Sequence, residues 1–201
     1  MLVLEGLQEA GKSSLFRVIG GEYFTDDVHD LASKDAVMAI SRAWIVELPE
    51  LSSLGRAEVE LIKAFLSRQV DRIRPPYGRA IVEMPRRCIF GGTTNRADYL
   101  KDDTGNRRFW PVGVGLVDLA ALEADREQLL AEAVASWLGG APLYLPREVR
   151  ADHAEAVEER RQEDPWETEI ARWLVGRTWA TSAEVLGSAL QIPTDRWSRS
   201  D

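Results

Sequence analysis

Residues Gly6-Leu7-Gln8-Glu9-Ala10-Gly11-Lys12-Ser13 fit the pattern G-x-x-x-x-G-K-[ST] in full. Few local patterns constrain a chain as much, because this one needs a strand before it and a helix after it. Leu2 to Glu5 is a short apolar run ending at a glycine, which reads as a buried strand. Lys12 to Ile19 reads as a helix closed by Gly20-Gly21. The two loop glycines let backbone N–H groups wrap a phosphate, and the helix adds its positive dipole end. Lys12 is expected to reach the β- and γ-phosphates of ATP and Ser13 to ligate Mg2+. Gly6, Ala10, Gly11 and Ser14 complete the expected cradle.

Strands alternate with helices downstream. Ser33 to Arg42 reads as a helix with Ser33 as its N-cap, and Trp44 to Leu48 as an apolar strand. Arg56 to Ser67 reads as an amphipathic helix with Val59, Ile62 and Leu66 on one face, so that Lys63 projects away from that stripe. Ile73 and Ala80 to Met84 read as hairpin arms around Tyr77-Gly78-Arg79. Cys88 to Gly91 and Arg108 to Val114 read as further strands, and Val117 to Leu138 as a long helix. This order predicts an α/β parallel sheet with helices on both faces, a P-loop NTPase core over 1–145. From about Pro142 the chain turns helical and acidic, with a break at Pro165. Residues 146–201 read as an incomplete helix-turn-helix segment, with Thr181-Ser182 as a capping pair.

A carboxylate ending an apolar strand beside a phosphate loop suits the metal shell or the attacking water. Glu47 and Glu50 occupy that place, Glu47 favoured for the metal and Glu50 as the alternative water activator. Asn95 follows the next strand through two threonines, where an amide orients water or senses the γ-phosphate. Arg107 and Arg108 precede the last strand and suit a finger reaching a neighbour's ATP. His29 and His153 are expected at the surface, and Cys88 in core packing.

The formal charge of −8 argues against a nucleic-acid partner only as a whole-chain average. From Arg68 to Arg108 there are ten basic and five acidic residues, a local +5 against −13 elsewhere, which points to a polyanion at one region. No apolar run reaches the roughly 20 residues that span a bilayer. With one cysteine, Cys88, no intrachain disulfide forms, and a cytoplasmic location is expected. Two other functions share the loop: a small-molecule or nucleotide kinase, with Asp102 to Arg108 as its lid, and a non-catalytic nucleotide-binding remnant.

The segments GLQEAGKSSLFRVIGG, DLASKDAV, AWIVELPELSSLGRAEVELIKAFLSRQVDRIRPPYGR, GGTTNRADYLKDDTGNRRFWPV and EDPWE together resemble the virulence-associated E family. These are phage- and plasmid-borne ATPases similar to superfamily-three helicases. The resemblance implies an ATP- and magnesium-dependent core, assembly into a ring (often a hexamer), and work on single-stranded DNA in mobile-element replication, with a primase domain or protein as a partner. It places Gly6, Gly11, Lys12 and Ser13 in the Walker A role, Glu47 in the Walker B role, Asn95 as sensor and Arg107 or Arg108 as finger. It also implies a DNA-touching hairpin, in which Tyr77 stacks a base and Arg72, Arg74 and Arg79 meet phosphates. Family members usually carry a region ahead of the phosphate-loop strand and a longer helical end, so the chain is expected to be a shortened form.

Overall fold

The computed structural model describes residues 1–28, 30–31, 33–53, 55–75, 78–100, 106–162, 164 and 166–197. His29, Tyr77, Pro165 and residues 102–105 lie outside the described residues. The chain forms two compact units, residues 1–161 and 162–201.

The first unit opens with β1 (Leu2–Glu5), α1 (Lys12–Gly20), β2 (Phe24–Thr25), α2 (Lys34–Ile40), β3 (Ile45–Leu48) and α3 (Arg56–Leu66). It continues with β4 (Val70–Ile73), β5 (Val82–Pro85), β6 (Ile89–Thr94), β7 (Trp110–Gly113), α4 (Leu119–Leu138) and α5 (Arg150–Glu158). Five strands make one sheet in the order β2-β3-β6-β1-β7, every pairing parallel. β1 therefore lies inside the sheet, between β6 and β7, and both its faces must be covered. Consecutive residues divide between those faces. Val3 and Val46 join a core with Ala36, Ile40, Val59, Ile62 and Phe65 of α2 and α3. Leu4 and Ile45 pack with Phe16, Leu15 and Ile19 of α1. α4 lies against α1, and Arg126 caps the end of α1 by donating from Nε to Val18 O (2.8 Å) and from Nη2 to Ile19 O (3.0 Å).

β4 and β5 form a separate antiparallel hairpin, Ile73 opposite Val82. A buried ion pair fixes its base. Arg86 Nε lies 2.5 Å from Asp71 Oδ2 and Nη2 2.9 Å from Oδ1. The guanidinium also donates to Phe65 O and stacks 4.1 Å from the Phe65 ring centroid.

Three expectations are corrected. Lys63 is buried, with Nζ 3.1 Å from Glu60. It is four residues from Val59, so helical periodicity returns it to the same side. His153 is half-buried, with Nε2 2.9 Å from Phe109 O; a carbonyl only accepts, so Nε2 carries the proton. The first unit runs to Arg161 rather than ending near 145, because α5 packs on β7 and inserts Val157 into the core. Cys88 packs partly buried against that core, and burial pushes its thiol pKa up.

The second unit contains α6 (Glu167–Leu174) and α7 (Ser182–Glu184), the latter running on into a wider turn at Val185–Ala189. Thr181 Oγ1 accepts from Glu184 N and Glu184 Oε2 accepts from Thr181 N, a reciprocal cap that fixes where α7 starts.

Candidate active site

The eight-residue loop leaves the carboxyl end of β1, where ligands bind in open parallel sheets. Two glycines are needed for different reasons. Gly11 holds φ 87° at the N-cap of α1, a left-handed conformation that costs other residues energy. At Gly6 a Cβ would lie 2.5 Å from Val114 O, so only glycine lets the chain after β7 pass so close. That passing chain is tied down by Val114 N to Glu5 O (2.7 Å) and Val117 N to Ala10 O (2.9 Å).

Lys12 folds back into this loop. Its ammonium donates to Gly6 O (2.9 Å), Leu7 O (2.6 Å) and Asn95 Oδ1 (2.8 Å). Lys12 is 7% exposed, and desolvation pulls its pKa below the ordinary lysine value. Asn95, one residue past β6, is thus brought to Lys12 by the pairing of β6 with β1.

Ser13, in the first turn of α1, donates from Oγ to Glu47 Oε1 at 2.5 Å. Thr93 donates from Oγ1 to the same oxygen at 2.9 Å. Glu47 is 1% exposed, and its second oxygen, Oε2, is buried without a hydrogen-bond partner. An unpartnered buried carboxylate oxygen is costly and marks a place where a cation or donor belongs. The hard oxygen donors of Ser13 and Glu47 fit magnesium, which binds through few protein ligands and keeps waters and phosphates. Among the described residues no group of three or more His, Cys, Asp or Glu could hold a metal ion, so any cation here would be held by this sparse set.

Ala10 is buried and Ser14 half-buried in the same loop and first helical turn. Glu50 is exposed two residues past β3 at φ 52°, its carbonyl accepting from Ser53 N at 2.9 Å. No described contact joins Glu50 to Lys12, Ser13 or Glu47.

Arg107 and Arg108 sit in a single turn, Asn106–Arg108, at the opposite edge of the sheet. The terminal amine of Met1, at the start of β1, donates to Arg108 O at 2.7 Å, whereas Gly6 follows the end of that strand. Arg108 Nε donates to Ser67 Oγ (2.9 Å), and Arg107 is exposed and lines a cavity of about 930 Å3 with Trp110, Tyr144 and Arg150. The hairpin also leaves from this edge: Ile89 N, opening β6, pairs with Trp44 O just before β3. Arg74 and Arg79 are exposed, while Arg72 pairs with Glu83 at 2.8 Å. Part of the local basic excess is thus neutralised within the hairpin, by Glu83 on Arg72 and Asp71 on Arg86.

Thr93 and the Asp71–Arg86 pair escaped the sequence reading. Threonine next to an expected sensor was the available signal for the first. Nothing local announces a carboxylate fifteen residues from its arginine for the second.

An all-parallel α/β sheet with a G-x-x-x-x-G-K-[ST] turn at the carboxyl end of an interior strand defines the class. The model of the virulence-associated protein E-like domain matches residues 1–163, and the chain belongs to that family. No curated protein matches it. Among solved structures it is similar to the apo form of the NrS-1 C-terminal region (305–718), with TM-score 0.52 and 18% identity over 98% of this chain and 51% of that one. A second form of that region gives TM-score 0.51 and 17% identity over the same shares. These likenesses concern the fold, and the chain spans about half the length of the region it matches. Among the described residues no helix is long and apolar enough to cross a membrane.

Proposed function

We propose that this chain is the ATP-hydrolysing core of a ring-forming, helicase-like motor that acts on single-stranded DNA in replication of mobile elements. The observation that carries the reading is the junction at the carboxyl edge of the sheet: Lys12 joined to Asn95, and Ser13 joined to a Glu47 whose second oxygen is buried and unpartnered.

On this reading the amides opening α1 bind the phosphates, and Lys12 exchanges its two loop-carbonyl contacts for β- and γ-phosphate oxygens. Ser13 and Glu47 would hold magnesium, which supplies neutralisation of phosphate charge. Asn95 orients the water or the γ-phosphate. Thr93 keeps Glu47 aimed, and Glu50, exposed nearby, is the alternative for water activation. Arg107 cannot serve the loop of its own copy. β1 alone puts about 13 Å between the two edges, at roughly 3.3 Å per residue. An arginine finger from this turn therefore acts on another copy, which supports assembly into a ring, a hexamer being the expected form. Exposed Arg107 suits the role better than Arg108, which is held by Ser67. Single-stranded DNA is read as meeting Arg74 and Arg79 on the hairpin, with Tyr77 proposed to stack a base and Arg72 adding a weaker phosphate contact. A primase domain or protein is the expected companion.

ATP turnover with and without single-stranded DNA tests this, with particle mass measured by light scattering beside an ATP analogue. Expected are DNA-stimulated hydrolysis, loss of at least about a hundredfold in Lys12→Ala, and a mass several times that of one chain. A monomer with no stimulation overturns the motor, and absence of magnesium-dependent nucleotide binding overturns the whole reading.

A further inference from the structure

One residue far from the loop in sequence closes a circuit of contacts around it. Arg160, just past α5, donates from Nε to both oxygens of Glu5, at 2.8 and 3.1 Å. Glu5 ends β1 and immediately precedes Gly6. Its side chain is 11% exposed and that of Arg160 21%. The guanidinium is itself steadied by its own helix, with Nη1 donating to Ala156 O at 2.7 Å. The main chain of Arg160 makes a second attachment: its carbonyl accepts from Leu100 N at 3.0 Å, and Leu100 and Arg161 form a parallel bridge. Leu100 and Tyr99 are each 1% exposed and anchor the end of the segment that begins at Asn95. Burial, and then the neighbouring Glu5 charge, push the Tyr99 hydroxyl pKa well up, so it adds no competing charge.

The two arms meet again at Lys12, whose ammonium donates to Gly6 O on one arm and Asn95 Oδ1 on the other. Side chain and main chain of a single residue thus hold both walls against which Lys12 is set. A salt bridge at this depth needs good geometry to offset desolvation, and the two-oxygen contact provides it.

Resting on the nucleotide reading above, we propose that Arg160 is a positioning residue for hydrolysis. Through Glu5 and Leu100 it braces the end of the β1–β6 pairing, where Gly6 N already bonds Thr94 O at 3.3 Å, and so steadies Asn95 against Gly6 while making no contact with the phosphates itself. Such a residue affects turnover more than nucleotide affinity. The amides and Lys12 still bind phosphate when the walls slacken, but Asn95 no longer lies where the γ-phosphate reacts.

The test uses the full chain as wild type, Arg160→Ala, Arg160→Lys, Glu5→Gln and the Glu5→Gln/Arg160→Ala double variant. Turnover, KM and the affinity for a fluorescent ATP analogue are measured, with melting curves confirming the folded fraction. Expected for Arg160→Ala is kcat down about tenfold, with KM and analogue affinity within about threefold of wild type. Arg160→Lys recovers most of the loss, Glu5→Gln reproduces it, and the double variant is no worse than either single one. Should Arg160→Ala not fold, Arg160→Lys and Glu5→Gln still carry the split between kcat and KM. Unchanged kcat per folded molecule, or additive losses in the double variant, overturn the proposal and leave the nucleotide reading standing. A wild type that neither binds the analogue nor hydrolyses ATP overturns both.

Discussion

Glu47 is ionisable, 1% exposed and bonded through only one of its oxygens, so its immediate neighbours decide what it does. Glu47→Gln keeps the shape and removes the charge. The expected outcome is retained binding of an ATP analogue with turnover reduced about a hundredfold or more, checked by calorimetry beside single-turnover hydrolysis. Thr93→Val removes one of the two donors to Oε1 without changing volume. It is expected to lower stability by about 1–2 kcal/mol in urea unfolding, the cost of a buried acceptor losing a partner, and to lower kcat as well. Lys12 gives a pH dependence with a definite sign. Desolvation lowers its folded pKa below 10.5, so between those two values the unfolded chain binds more protons. Stability contributed by this group therefore rises with pH through that window and levels off above 10.5. Lys12→Met is expected to abolish the rise, read as the urea midpoint across the alkaline range.

At the scale of elements, the hairpin β4–β5 is held by one buried pair, and the remainder of its basic character faces solvent. Removing Arg86 strands the Asp71 carboxylate, so Arg86→Leu is expected to cost about 3–5 kcal/mol in urea unfolding. Asp71→Leu/Arg86→Met should recover much of that, since both charges leave together. The strand and helix around the glycine loop were legible because their signals are contiguous: an apolar run, glycines, then a helix beginning at Lys12. Asn95 was legible because it trails a strand that had to pair near the loop. Thr93 and Arg160 were not, since their partners Glu47 and Glu5 lie 46 and 155 residues away, the first pair joined only by strand order and the second by the packing of α5 on β7. β2, two residues long, is too short to leave a period-two pattern. Lys63, four residues beyond Val59, falls on the same side as the Val59, Ile62 and Leu66 stripe and is buried there, against the outward direction expected from that stripe.

For the whole molecule, the arrangement of charges makes mixtures informative. Neither Lys12→Ala nor Arg107→Ala is expected to hydrolyse ATP alone. Mixed, they should regain a measurable fraction of wild-type turnover, because some interfaces pair an intact loop with an intact arginine. Steady-state hydrolysis against mixing ratio checks this, and a mixture as inactive as its components would exclude a shared site. Affinity for an oligonucleotide should fall steeply with salt. Arg74→Ala and Arg79→Ala are each expected to shallow the log–log slope by about 0.7, as a lost phosphate contact on a single strand does.

The separation of Lys12 from Arg107 by the length of a strand gives each copy an acceptor end and a donor end. On the function proposed above, such polarity would leave an isolated copy idle and let a copy lacking its arginine silence the loop beside it. Each Arg107→Ala chain would then withdraw one arginine and leave its own loop competent, so turnover should decline in step with its share of the mixture.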